Sequence, residues 1–350
     1  MKKPRTRSML KLLRYALLLA FGFLLLKVFV PRTYHAPEVQ RRESTRYWNL
    51  TTGSVIGYTL ISARGEKKPY PLIYLHGGPG VPVSDQHIQM LSAFSGDGYD
   101  VYLYDQVGCG QSGLLEDMEA YTARRHTKDL EAIVEKTGAE KVILLGQSWG
   151  AMLAVLFAAD HPEKVEKLIL TGPGPIAPVK AGLAGVPAPD SLHLKKPLIS
   201  NRDGFRSTQT LRNRLVAFLA TKFGFKLASD KEANGFYYAL TNQTNKAMVC
   251  DTSRALRAEP GVGYYSSIMT LNSLDDVEDP RPKLKDSEIP VLLLKGQCDN
   301  QVWGIVPEYL ALFKNHELVI VPDAGHGIWI EQPEFYLKAI RKFLAKEAMQ

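Results

Sequence analysis

With 350 residues, 45% of them hydrophobic, the chain has enough apolar material for one large α/β domain carrying an insertion, or for two ordinary domains, and its composition is not that of a disordered protein. The formal charge of +7 invites a nucleic-acid reading until it is located: residues 1–46 hold 11 Lys or Arg against 2 acids, and the remainder has 32 bases against 34 acids, a net of −2. The body is therefore not basic, and no nucleic-acid partner is expected.

The N-terminus accounts for the charge. Lys2, Lys3, Arg5, Arg7, Lys11 and Arg14 precede an apolar run from Tyr15 to Val30 broken by Lys27, and residues 12–30 suffice to span a bilayer if the terminal charges snorkel. The stretch from Val30 to Ala36 offers no small-x-small cleavage site, which favours an uncleaved anchor over a removed signal peptide. Residues 1–34 are expected to form a cytoplasmic basic tail and a single-pass signal anchor, followed by a polar linker at 35–46. The positive-inside rule then leaves the N-terminus in the cytoplasm and the rest of the chain outside it, with the lipid bilayer as a partner.

From residue 47 a doubly wound α/β core is predicted over 47–174 and 289–350. Tyr47 to Ser62 alternates around Thr52-Gly53, as an opening hairpin does. Pro71 to Leu75 is a short apolar strand ending in His76-Gly77-Gly78-Pro79-Gly80, a loop whose backbone amides can point into a cavity. Asp100 to Tyr104 is the next strand, leading into Asp105-Gln106-Val107-Gly108-Cys109-Gly110-Gln111-Ser112, with glycines that shape the loop. Thr127 to Gly138 has helical periodicity. Lys141 to Leu145 is a strand that stops at Gly146-Gln147-Ser148-Trp149-Gly150, and an alanine-rich helix runs from Ala151 to His161. Strand, sharp turn and helix are the setting of a nucleophile elbow with Ser148 at its tip, but a chain of this composition carries G-x-S-x-G by accident roughly once in ten, so context must decide.

Val165 to Leu170 is another strand, and then the alternation stops: residues 175–288 show no clear strand, while Leu211–Phe223, Glu232–Met248 and Tyr264–Leu274 have helical periodicity. This surplus predicts a helical cap over the carboxyl edge of the sheet. The core resumes with Pro290–Lys295, a helix over Ile305–Lys314, the strand Glu317–Val321 and a final amphipathic helix, Pro333–Lys346. If Ser148 is a nucleophile, an acid and then a histidine must follow, each in a loop after a later strand. Asp299 and His326 meet that condition. His316 enters a strand and Asp323 reads as a turn former, so neither is preferred. Cys109, Cys250 and Cys298 allow at most one disulfide, no spacing suggests metal, and Cys298 reads as a small buried residue rather than a nucleophile.

Taken together, His-Gly-Gly-Pro-Gly at 76–80, Asp-Gln-x-Gly-x-Gly-x-Ser at 105–112, Gly-Gln-Ser-Trp-Gly at 146–150 and the late Gly-x-x-Asp and Gly-His resemble the proline iminopeptidases, α/β-hydrolase serine aminopeptidases. The resemblance covers 45–174 and 289–346. Ala151 stands where many members have glycine, Val107 where many have arginine, and the cap lacks the acidic motif with which many hold the substrate amine.

The resemblance implies an α/β-hydrolase fold, a peptide substrate with a free N-terminus and no cofactor. Ser148 attacks, His326 moves its proton, Asp299 orients the histidine, and the amides of Trp149 and Gly78 form the oxyanion hole. An esterase or lactonase with the same triad is the principal alternative, and a non-catalytic binding protein is disfavoured by the intact triad. An aminopeptidase needs an anion for the substrate's ammonium, and Asp203, Asp230, Glu232, Asp251, Glu259, Asp275 and Asp276 are the cap acids that could supply it.

Overall fold

The computed structural model describes residues 5–346; Lys2 and Lys3 of the basic flank lie outside them. The chain opens with helix α1 (Arg5–Phe29), of which Met9–Phe29 is long and apolar enough to cross a membrane and is not buried against the body. β1 (Arg46–Asn49) and β2 (Val55–Ile61) form the expected hairpin, and β3 (Leu72–Leu75) enters the middle of the sheet. The short helices α2 (Asp85–Leu91) and α3 (Ala93–Gly96) lead to β4 (Val101–Tyr104).

Next comes α4 (Ala123–Thr137), which starts one turn before the predicted Thr127 because the Thr122 hydroxyl caps it, accepting from the Arg125 amide at 3.0 Å. It stops at Gly138, whose φ of 69° suits a residue without Cβ. β5 (Val142–Gln147), α5 (Trp149–Asp160) and β6 (Val165–Thr171) follow.

Between β6 and β7 lie four helices of eight or more residues: α6 (Asn201–Thr208), α7 (Leu211–Phe223), α8 (Asp230–Thr244) and α9 (Tyr264–Asn272). The short α10 (Arg281–Leu284) returns the chain to β7 (Val291–Gly296). The end is α11 (Ile305–Leu312), β8 (His316–Val321), the short α12 (Ile328–Glu331) and α13 (Pro333–Leu344).

The eight strands form one sheet in the order β1-β2-β4-β3-β5-β6-β7-β8, antiparallel at the β1/β2 and β2/β4 pairs and parallel from β4 to β8. Alternate side chains of the central strands serve opposite faces: Ile73, Leu144 and Leu293 pack into the layer with α5, whereas Tyr74, Ile143 and Leu292 pack into the layer with Phe94, Tyr336 and Phe343. A parallel sheet covered on both faces leaves its carboxyl edge as the open margin where a site can form.

The segment after α1 is not a free tether. Glu232 of α8 holds Arg212 of α7 through both carboxylate oxygens, and the guanidinium also donates to the carbonyls of Val28 and Phe29, which end α1 without intrahelical partners. Arg32 donates its amide to Glu232 at 2.9 Å, Tyr34 packs against Phe236, and Gln40 and Arg42 bond to Gln111 and Asp85. The linker is thus laid along the cap and core because its aromatic and basic side chains find partners there.

Candidate active site

Ser148 sits between β5 and α5 with φ 54° and ψ −115°, a positive φ that a non-glycine residue adopts only under constraint from its surroundings. The constraint is visible. A Cβ on Gly146 would lie 2.6 Å from the Ala151 Cα, and one on Gly150 would run into the Leu75 carbonyl of the neighbouring strand. The Ser148 amide donates to Thr171 O at 2.9 Å, and its carbonyl accepts from Ala151 and Met152 at 3.1 and 3.3 Å. The tight turn thus lifts a half-buried hydroxyl to the carboxyl edge.

Asp299 and His326 come from the loops after β7 and β8 and meet at that edge, His326 Nδ1 lying 2.9 Å from Asp299 Oδ1 with both side chains buried. Burial pushes the Asp299 carboxyl up, but the adjacent His326, then Lys295 and the Gln301 amide, outweigh it and hold the group at about 2. Gly172 carries the geometry across to the serine: it follows Thr171, and a Cβ there would stand 2.8 Å from His326 Nδ1 and 3.4 Å from Asp299 Oδ2. Among the described residues no hydrogen bond joins Ser148 Oγ to His326, so the three groups share one edge with the last link open, as catalytic hydrogen bonds often are without substrate. His316 stands exposed at the start of β8, away from this edge, and Asp323 pairs with Lys195.

The glycine loop after β3 lies directly on the elbow. Gly78 has φ +114° and shapes the turn, but Gly77 is the residue against Ser148: its Cβ would be 3.2 Å from the serine Cβ. Trp149 heads α5, where the first amides have no acceptor inside the helix. Its buried indole donates to Gln106 Oε1 at 2.7 Å, and Gln106 in turn gives its amide to His76 Nε2 at 2.8 Å and its side chain to His76 O at 3.0 Å. Gln106 thereby ties the glycine loop to the elbow. Burial lowers the His76 imidazole to about 4 and the nearby His87 and His126 to about 3, so all three are neutral acceptors or donors, not cations.

Residues 70–333 match the family described as the alpha/beta hydrolase fold. The chain belongs to that family. Its curated relatives include a proline iminopeptidase of Lactobacillus helveticus, 43% identical over 117 residues, which is 33% of this chain but 38% of the relative, and one of Saccharolobus solfataricus, 26% identical over 302 residues, 83% of this chain and 89% of the relative. Similar solved structures include an esterase from Exiguobacterium antarcticum (18% identity, TM-score 0.58, 86% of this chain and 99% of the other) and the proline iminopeptidase of Mycobacterium smegmatis (21%, 0.56, 86% and 97%). At those identities the structures speak for the fold alone. The resemblance to proline iminopeptidases drawn from the motifs holds among the sequence relatives.

In this hydrolase the cap is fastened to the loops that carry Asp299 and His326. Cys250 of the cap is disulfide-bonded to Cys298, the neighbour of Asp299; Cys298 is buried, as expected, and Cys109 is the thiol left over. Buried Glu331 accepts from the amides of Cys250 and Asp251 at 2.9 Å and of Gly325 at 2.7 Å, and Gly327 donates to Met248 O at 2.8 Å. One turn of chain, 248–251, therefore touches the Asp299 loop covalently and the segment after β8 by three hydrogen bonds, while Gly325 to Glu331 ties that segment to itself. Sequence reasoning missed Glu331 and Gln106, and also Lys295, whose buried ammonium donates to Asp299 Oδ2 at 3.2 Å and to Gln301 O at 2.9 Å. A lysine closing an otherwise apolar run was the one available hint.

Several cap acids are already engaged. Glu232 is committed to Arg212 and the Arg32 amide, Asp230 to Lys226, and Asp203 and Asp251 cap their own helices. Glu259 is half-buried, and burial raises its carboxyl. Among the described residues none of the seven acids hydrogen bonds to Ser148 or His326.

Proposed function

We propose that the chain is a membrane-anchored serine aminopeptidase that releases an N-terminal proline or small apolar residue through an acyl-enzyme. The observation carrying this is the strained Ser148 standing at the same edge as the bonded Asp299–His326 pair. His326 takes the serine proton as Oγ attacks the carbonyl and returns it to the leaving amine, while Asp299 fixes the ring and its charge. The tetrahedral oxygen is held by the Trp149 amide and one from the glycine loop, Gly78 in the motif reading, with Gly77 now the nearer neighbour of the serine. Water then repeats the sequence on the ester, with no cofactor required.

The curated proline iminopeptidases support the peptidase reading. Helix α1 supports a single-pass anchor with an extracytoplasmic catalytic body, and the Cys250–Cys298 bridge suits an oxidising compartment. Commitment of Glu232 to Arg212 favours the second reading, an esterase or lactonase, because it removes one anion that an ammonium would need. The discriminating assay compares a free prolyl arylamide with its N-acetylated form and with a simple acyl ester. Strong preference for the free amine is expected; equal rates, or faster turnover of the blocked amide and ester, would leave the esterase in its place.

A further inference from the structure

We infer that helix α7 of the cap lies flat in the surface of the bilayer that α1 crosses. This rests on the anchor reading of α1 and adds a second, independent contact with lipid.

Continuity is the first ground. The carbonyls of Val28 and Phe29, the last turn of α1, are bound by Arg212 in the first turn of α7, so α7 begins at the depth where the apolar run of α1 ends. Arg32 and Tyr34 then fix the chain to α8 and the Asn213 side chain, which leaves the junction little freedom to swing the cap away.

The second ground is the surface of α7 itself. Val216 and Ala220 are buried against the rest of the cap, while Leu211 (54%), Phe218 (51%), Phe223 (68%) and Phe225 (55%) are exposed. Four large apolar side chains within residues 211–225, the Phe218 and Phe223 rings packed edge-on at 5.7 Å and Phe225 just past the helix, are more than scattered surface hydrophobes, and an exposed cluster of this kind needs an apolar neighbour. Between them, also exposed, stand Arg214 and Lys222, and α7 contains no acid; Glu119 abuts Gly224 where the helix stops. Apolar side chains flanked by basic ones match the boundary between acyl chains and anionic headgroups, where the phenyl rings enter and the cations meet phosphate. A protein partner would not explain why the cluster begins at the end of the anchor.

The test uses the full chain in vesicles of phosphatidylglycerol and phosphatidylethanolamine. An environment-sensitive fluorophore is placed on Phe218→Cys, on Phe223→Cys as a second site, on Leu17→Cys within α1, and on His316→Cys at the sheet edge opposite the cap. Cys109 is buried and the other two cysteines are paired, so the new thiol takes the label. Nitroxide lipids should quench Leu17, Phe218 and Phe223 several-fold more than His316, and aqueous iodide should show the reverse order. Quenching at Leu17 with positions 218 and 223 behaving like 316 would overturn the surface contact and leave the anchor standing. Absence of lipid quenching at Leu17 would overturn both.

Discussion

The strand-end loops of the core and the helices of the cap encode their contributions in different ways. At the carboxyl edge, Gly146-Gln147-Ser148-Trp149-Gly150 fixes Ser148 by local sterics, because each glycine relieves a specific collision and the serine has one place to go. In the cap, what matters is which distant groups meet: Arg212 with Val28, Cys250 with Cys298, Glu331 with two cap amides. Chemistry here is written in short contiguous motifs, whereas the surroundings that hold and select are written across the chain.

The largest expected effect would break this comparison at its strongest point. Ser148→Ala should lower kcat by about a millionfold, as loss of a nucleophile does, while leaving the urea unfolding midpoint nearly unchanged, since a half-exposed hydroxyl contributes little to the core. Rates near wild type would remove Ser148 from the chemistry.

Next in size is the cap tie. Replacing Cys250 and Cys298 together with serine opens a cross-link between residues 48 apart and should reduce stability by up to about 4 kcal/mol on chain-entropy grounds, read as a lower urea midpoint. No change in midpoint would show that hydrogen bonds alone fasten the cap.

A smaller effect comes from the buried imidazoles. His76, titrating at about 4, and His87 and His126, at about 3, lie below the ordinary value of 6.5 because burial disfavours their charged forms. Above pH 6.5 folded and unfolded chains are both neutral there; as pH falls, the unfolded chain takes up protons first, and stability is lost from pH 6.5 down to the folded values. Each histidine should cost about 2 kcal/mol at pH 5. Asp105, raised to about 6 by burial, acts in the opposite direction over that window, but one carboxyl is set against three imidazoles. The urea midpoint should fall between pH 7 and 5, with a shallower slope in His126→Gln; a midpoint that rises on acidification would reverse the balance.

The smallest sharpens the account of the acid. Lys295→Met removes one donor from Asp299 while keeping the stem packed, and should lower kcat by about tenfold with KM little changed. A change confined to stability would make Lys295 structural only.

Legibility followed the same division. Helix α7 could be bounded from sequence because Thr210 caps it and Gly224, at φ 59°, ends it, with apolar spacing between. Helix α6 was missed: Phe205 is its only large apolar residue, and it packs through Gly204, whose Cβ would lie 3.0 Å from Thr244. Absence of a side chain leaves no periodic signal. A run of glycines does not say which one abuts the elbow; it is Gly77 whose Cβ would meet the Ser148 Cβ. Pairing of Cys250 with Cys298 was open because nothing near either cysteine names the other.

The fastening of residues 248–251 bears on how the molecule comes apart. A cap joined to its core by one flexible connection could detach and exchange amide protons on its own. Here the same four residues carry a covalent bond to the Asp299 loop and hydrogen bonds to the segment after β8, so freeing the cap means disturbing the loops that present Asp299 and His326. Cap and core should therefore open together, with amide protection in β7 and β8 expected to extend into residues 248–251, and local opening left to the segments that this clamp does not reach.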